Sequence, residues 1–225
     1  MRRQEAPGDT LIKVGLTQRV DVVPAYGERR DALDQNWARL LGELGCLVVP
    51  VPNLLPDPAR FARELVLDAL LLTGGNDLAD AEYRSPDAAP ERDALELALI
   101  DVFQRAAKPV LGVCRGAQIL NKFHGGSLVR VQAHVAARHR IRPTPDGGGS
   151  VEEREVNSYH NFGILPSGLA PGLTATALAE DGTVESFHHR DLPHWGIMWH
   201  PERERPFVPT DLAFIKQILQ STQIQ

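Results

Sequence analysis

Three separated stretches of this chain carry residue types that together could perform nucleophilic acyl chemistry. Cys114 stands in Gly112-Val113-Cys114-Arg115-Gly116-Ala117-Gln118, directly after the apolar run Lys108-Pro109-Val110-Leu111. A buried strand, a small-residue turn and a following helix make a nucleophile elbow, of which G-x-S-x-G is the serine form. Glycine on both sides keeps side chains away from the neighbouring strand and helix. The sulfur then sits at a helix N-terminus, where the helix dipole and free N–H groups favour thiolate. A thiolate needs a base, and the base an orienter; Trp199-His200-Pro201-Glu202 offers both. In extended chain His200 and Glu202 leave the same face, so the carboxylate can hold Nδ1–H and turn Nε2 toward sulfur. The third stretch, Thr73-Gly74-Gly75-Asn76-Asp77, follows an apolar strand and brings backbone N–H close to where an oxyanion would develop. The N–H of Arg115, next after the nucleophile, supplies a second donor.

These residues need elements to hold them. Leu11–Thr17 reads as a first strand, and Asp31–Leu44 as a helix with Leu33, Trp37, Leu40, Leu41 and Leu44 at helical spacing, stopped by Gly45. Cys46–Val51 is a strand, 59–66 a short helix, Ala69–Thr73 a strand, Glu91–Ala107 a helix, 109–113 a strand and Arg115–Phe123 a helix. Strands alternating with helices predict an α/β fold with a mostly parallel sheet covered on both faces. The C-terminal half differs. Segments near Glu155–Ser158, Thr174–Ala179, Val184–His189 and Trp195–His200 read as strands joined by turns, some antiparallel, with a closing helix over Asp211–Leu219. The Pro/Gly-rich stretch Pro143–Ser150 reads as a mobile loop. Residues 1–10 read as a flexible arm, and 11–225 as one catalytic domain.

Composition narrows the function. A net charge of −5 speaks against general nucleic-acid binding. No apolar run reaches the length of a membrane span. The first ten residues contain no apolar signal region, and two cysteines, Cys46 and Cys114, make no disulfide framework; a reduced, cytoplasmic setting is expected. Cys46 opens an apolar run and reads as a small core residue. No cofactor is expected, and no metal: His124, His134, His160 and Phe187-His188-His189 lack the cysteine–histidine spacing of a zinc site.

The motifs GVCRGAQ, LLTGGND and WHPE resemble, in that combination, the class I glutamine amidotransferase superfamily, and within it the γ-glutamyl hydrolase (peptidase C26-like) branch. Val156-Asn157-Ser158-Tyr159-His160 is similar to that branch's VNSxH segment, and Arg92-Asp93 with Glu96 to its RDxxE pattern. The resemblance spans residues 11–219. It implies the class I amidotransferase fold with a flavodoxin-like core. It also implies a Cys114–His200–Glu202 triad, an oxyanion hole from the N–H groups of Gly75 and Arg115, and a glutamyl head held by Gln118 and by Ser158, Tyr159 and His160. Gln118, one helical turn past Cys114, offers donors and an acceptor in one side chain. The sequence departs from the branch at Asp80, where proline is usual, at Phe162, where glutamine is usual, and around Thr17-Gln18-Arg19, Tyr26 and Glu28-Arg29-Arg30; Tyr83 fits. This variant pattern resembles the γ-glutamyl-CDP-amidate hydrolases of capsule phosphoramidate synthesis.

The expected reaction is hydrolysis of a small-molecule γ-glutamyl amide through a thioester. Two rivals stay open: a glutaminase subunit delivering ammonia to a separate synthetase, and a non-catalytic glutamyl-binding module. A homodimer also stays open. Arg138-His139-Arg140-Ile141-Arg142, with Arg19, Arg29, Arg30 and Arg203, is either a phosphate-binding feature for a nucleotide-linked leaving group or a solvated charge run.

Overall fold

A computed structural model describes residues 11–79, 85–148 and 151–221. The expected arm at 1–10, the departures at Asp80 and Tyr83, and the end of the Pro143–Ser150 stretch lie outside them.

The first half is built from β1 (Ile12–Thr17), β2 (Arg19–Val22), β3 (Arg29–Ala32), α1 (Gln35–Glu43), β4 (Cys46–Val51), α2 (Pro58–Glu64), β5 (Ala69–Leu72), α3 (Pro90–Arg105), β6 (Val110–Val113) and α4 (Arg115–Phe123). The second half adds β7 (Val129–Arg130), β8 (Val135–Pro143), β9 (Arg154–Tyr159), β10 (Phe162–Gly163), β11 (Leu173–Ala179), β12 (Val184–His189), β13 (His194–Ile197) and α5 (Pro209–Leu219). Nine strands join in one sheet, in the order β4-β1-β5-β6-β13-β12-β11-β8-β9. The first five run parallel, and β12, β11, β8 and β9 continue antiparallel. The α/β expectation, parallel on one side and antiparallel on the other, is what the chain adopts.

Burial on both faces explains the apolar runs. β5 is Ala69-Leu70-Leu71-Leu72, every residue buried. Alternate side chains point to opposite faces. Leu70 and Leu72 pack with Leu95, Leu99 and Phe103 of α3, whereas Ala69 and Leu71 pack with Trp37, Leu40 and Leu41 of α1 and Ile215 and Ile218 of α5. Each fully buried leucine contributes roughly 1.5–3 kcal/mol.

Two expectations need correction. The helix expected from Asp31 begins only at Gln35, because Asp34 accepts a hydrogen bond from Asn36 N and caps it. The preceding residues form a separate antiparallel hairpin, β2–β3, with Arg19 opposite Ala32. The cationic run at 138–142 lies in the middle of β8, paired with β9 and β11. Within Pro143–Ser150, Pro143 ends β8 and Pro145–Gly147 is a single 3-10 turn, with Gly147 buried against Thr176.

Candidate active site

β1, β5, β6 and β13 are adjacent and parallel, so their C-terminal ends share one edge of the sheet. Ligand sites of open α/β sheets form at that edge. Gly74-Gly75 follows β5, Cys114 follows β6 and His200 follows β13. The fold thereby brings together three motifs that lie far apart in sequence.

Cys114 is the N-cap residue of α4, with φ 53° and ψ −109°. A non-glycine residue in such a conformation costs about 1–3 kcal/mol and persists only where its surroundings impose it. Here Cys114 N donates to Ile197 O at 2.8 Å, and Gln118 N donates to Cys114 O at 3.1 Å. A side chain on Gly112 would collide with the backbone of Gly116, and one on Gly116 with Leu72 O. The flanking glycines are thus steric requirements of the elbow.

His200 Nδ1 lies 2.7 Å from Glu202 Oε1, both side chains buried. The route to that contact differs from the expected one. β13 stops at Ile197, and Pro201–Arg203 forms a 3-10 turn that swings Glu202 back under the ring. Asn157 clamps this turn: His200 N donates to Asn157 Oδ1 at 2.9 Å, and Asn157 Nδ2 donates to His200 O at 2.9 Å. With Nδ1 on Glu202, Nε2 is the ring nitrogen left for the thiol. In the resting structure it makes no conventional hydrogen bond, and Cys114 is its charge partner; catalytic contacts of this kind tighten in the substrate complex. Gly74 packs against the imidazole, since a methyl group built there would lie 2.7 Å from His200 Cε1 and 3.6 Å from Cys114 Cβ.

The charges agree with an ion pair. Burial alone pushes the Cys114 thiol up, but the neighbouring His200, the charge of His160 and the Arg115 N–H together hold it below its usual value. Burial alone pushes His200 down, but Cys114 and Glu202 outweigh it and raise the imidazole to about 9. Thiolate facing imidazolium is the arrangement these shifts favour.

A buried charge network sets the two backbone donors. Arg92, fully buried, donates Nη1 to Gly74 O at 3.1 Å and to Gly75 O at 2.5 Å, and Nη2 to Thr73 O at 2.6 Å. Because a trans peptide sets C=O and N–H in opposite directions, the Gly75 N–H faces away from Arg92. Arg92 Nε also binds Glu96 Oε1 at 2.9 Å, and the Arg115 guanidinium binds Glu96 and Asp93. Two guanidiniums and two carboxylates balance one another inside the protein. Burial lowers Arg92 to about 10, with Arg115 adding to the shift. The sequence shows Arg92, Asp93 and Glu96 only as a motif; their task becomes visible with the coordinates. Asn157 was equally hidden, quoted within a motif but not assigned a position in the site.

Cys114, Arg115, Gln118, Tyr159, His160 and Gly75 border a cavity of about 470 Å3, a volume suited to a small ligand. Gln118 Nε2 donates to Phe162 O at 2.8 Å, and His160 Nδ1 contacts the same carbonyl at 3.0 Å. The backbone of Phe162 therefore orients both side chains, whatever its ring does. Ser158 is placed differently. Its side chain is fully buried, its hydroxyl donates to His134 O at 2.7 Å, and it does not border the cavity. His134, His160 and Glu185 put one potential ligand atom each within 4.8 Å of one another. His160 Nε2 and His139 Nε2 flank Glu185 at 3.6 and 3.3 Å. Burial opposes both charges, yet their mutual attraction leaves Glu185 lowered and His160 raised, so the group is already charge-compensated.

The arginines separate clearly. Arg138 pairs with Glu155 and Glu204, Arg140 with Glu153, and Arg142 lies near Glu153 and Glu180, all on the exposed face of the antiparallel strands. Arg29 pairs with Glu91 and Arg30 with Glu28. Arg19 and Arg203 border the cavity.

The chain is similar to known proteins. The chain is 32% identical over 193 residues to γ-glutamyl-CDP-amidate hydrolase of Campylobacter jejuni, spanning 85% of this chain and 90% of the relative. It is 32% identical over 177 residues to anthranilate synthase component 2 of Azospirillum brasilense, spanning 76% and 83%. Its fold matches the crystal structure of a glutamine amidotransferase from Thermotoga maritima with a TM-score of 0.66 at 15% identity, covering 93% of this chain and 99% of that one. The Peptidase C26 family model matches residues 13–202, a span that contains the elbow, the Gly-Gly turn and the His200–Glu202 pair, and the chain belongs to that family.

Proposed function

We propose that the protein hydrolyses γ-glutamyl amides through a covalent thioester on Cys114. The observation that carries this reading is the convergence of Cys114, His200 and Glu202 at one cavity that also contains Gln118. The thiolate attacks the γ-carbonyl carbon, and the N–H groups of Gly75 and Arg115 donate hydrogen bonds to the developing oxyanion. Each such donor is worth about 2.7–4 kcal/mol. His200 gives its proton to the leaving nitrogen, the C–N bond breaks and the amine departs. The neutral imidazole then takes a proton from water, hydroxide attacks the thioester, and glutamate leaves with the thiolate restored. Glu202 keeps the ring oriented and stabilises its charge throughout. Gln118, Tyr159 and His160 hold the glutamyl head; Ser158 supports them from behind.

A free thiol poised as thiolate suits a reduced, cytoplasmic compartment. The name of the C. jejuni relative, with Arg19 and Arg203 at the cavity, supports a phosphate-bearing leaving group. A second reading, a glutaminase subunit passing ammonia to a synthetase, is favoured by the likeness to anthranilate synthase component 2. A γ-glutamyl amide panel assayed for free glutamate separates the two. Hydrolysis of substituted amides by the protein alone supports the first, and glutaminase activity appearing only with a partner protein supports the second. Cys114→Ala should lower turnover by at least a thousandfold while the protein still folds; unchanged turnover refutes the covalent route.

A further inference from the structure

A second cavity, of about 260 Å3, lies on the other side of the Gly74–Gly75 turn. Its walls are Ala32 and Leu33 at the end of the β2–β3 hairpin, Asp34 and Trp37 at the start of α1, and Gly74 and Glu202. The two cavities share Arg19, Gly75, His200 and Arg203 as their boundary, whereas Cys114 and Gln118 belong to the first alone.

That division has a chemical meaning. The acyl half of a substrate must sit where the sulfur is, beside Gln118. The leaving nitrogen must sit at His200, which gives it a proton, and His200 borders both cavities. Whatever the nitrogen carries therefore lies at the boundary that the two cavities share. There it meets two guanidiniums: Arg19, whose Nε lies 2.7 Å from Asp21, and Arg203, which stacks 4.3 Å over the Tyr159 ring. Both side chains are partly exposed, so each keeps donors for a ligand. Guanidinium forks match phosphate oxygens. Beyond them, Asp21 and Asp34 supply acceptors, and Ala32, Leu33 and Trp37 supply apolar surface.

We propose that this hairpin-walled cavity is the leaving-group subsite, and that it takes an amine bearing a phosphate close to the scissile nitrogen with a compact polar head behind it. The proposal rests on the hydrolytic reading of the Cys114 site and adds the part of the molecule that selects among amides. Selectivity resides in the hairpin and α1; the thiol and imidazole carry the chemistry.

The test compares three γ-glutamyl amides: those of methylamine, butylamine and 2-aminoethyl phosphate. Ala32→Trp narrows the cavity, and Trp is well suited to a strand; it should lower kcat/KM for both larger amides relative to the methylamide by at least fivefold. Arg19→Gln should lower the phosphate amide relative to the butylamide by at least fivefold. Ratios that move by less than fivefold in both variants overturn the subsite. A wild-type protein that cleaves all three while the variants leave the ratios unmoved overturns the subsite alone. One that cleaves none of the three overturns the hydrolytic reading and the subsite with it.

Discussion

Asn157 grips the backbone of His200 from both sides, accepting from its N–H and donating to its C=O, each at 2.9 Å. The His200 imidazole is thus positioned by an amide on β9, in the antiparallel part of the sheet. Asn157→Ala removes both bonds and leaves buried polar groups unpaired, at about 1–3 kcal/mol. We expect kcat to fall at least tenfold with KM changed less. Steady-state kinetics beside a thermal melt checks this, and a kcat within twofold of wild type refutes it.

Gly74 has no left-handed backbone requirement, so Gly74→Ala tests space alone. The added methyl group would lie 2.7 Å from His200 Cε1, and the ring must move by several tenths of an ångström. Misplacement of about 1 Å costs on the order of a hundredfold in rate. The expected result is at least a tenfold loss of kcat with a stability change of about 1–3 kcal/mol, the usual range for overpacking. Undiminished turnover in a folded Gly74→Ala protein would show that the ring does not act from this position.

The pH dependence follows from the ion pair. Thiolate appears as pH rises through the depressed Cys114 value, and imidazolium persists until about 9. The profile of kcat/KM should therefore rise on an acid limb below the ordinary thiol value and fall on an alkaline limb near 9. Glu202→Gln removes one of the charges that raise His200, so the alkaline limb should move to lower pH; an unmoved alkaline limb contradicts the assignment. The same shift has a sign for stability. His200 is raised above its unfolded value of about 6.5, so its contribution is complete below that pH and is lost as pH climbs through about 9. Urea midpoints between pH 6 and 10 should show the decline, and a His200→Gln protein should lack that part of it.

Arg92 sits under the Gly-Gly turn with no exposure. Arg92→Ala frees three carbonyls and leaves Glu96 with Arg115 as its one remaining cationic partner among the described residues, a loss of about 3–5 kcal/mol by analogy with broken buried ion pairs. Equilibrium unfolding in urea measures it. A cost below 1 kcal/mol would mean that the network does not hold the turn.

Much of the site was readable because its residues carry strong local constraints. The elbow needs two glycines, α4 begins where the motif predicts, and β5 and β6 are apolar on both faces. The hairpin escaped because β2 and β3, Arg-Val-Asp-Val and Arg-Arg-Asp-Ala, are only four residues each and bury little beyond Val20. β8 escaped for the same reason: its arginines face solvent and pair with carboxylates across the strands. The position of Ser158 was hidden because sequence does not say which side chains of a half-buried strand turn inward. The His200–Glu202 contact was foreseen for the wrong cause, a 3-10 turn taking the place of extended chain.

The β2–β3 hairpin belongs to no shared ladder with the nine-stranded sheet; Asn76 ties it down through Val20, and Asn53 through Asp31. Such an appendage can be rewritten by mutation while the scaffold stays as it is. Under the proposed subsite, substitutions confined to β2 and β3 would change which amine is released while the thiol and its partners stay as they are.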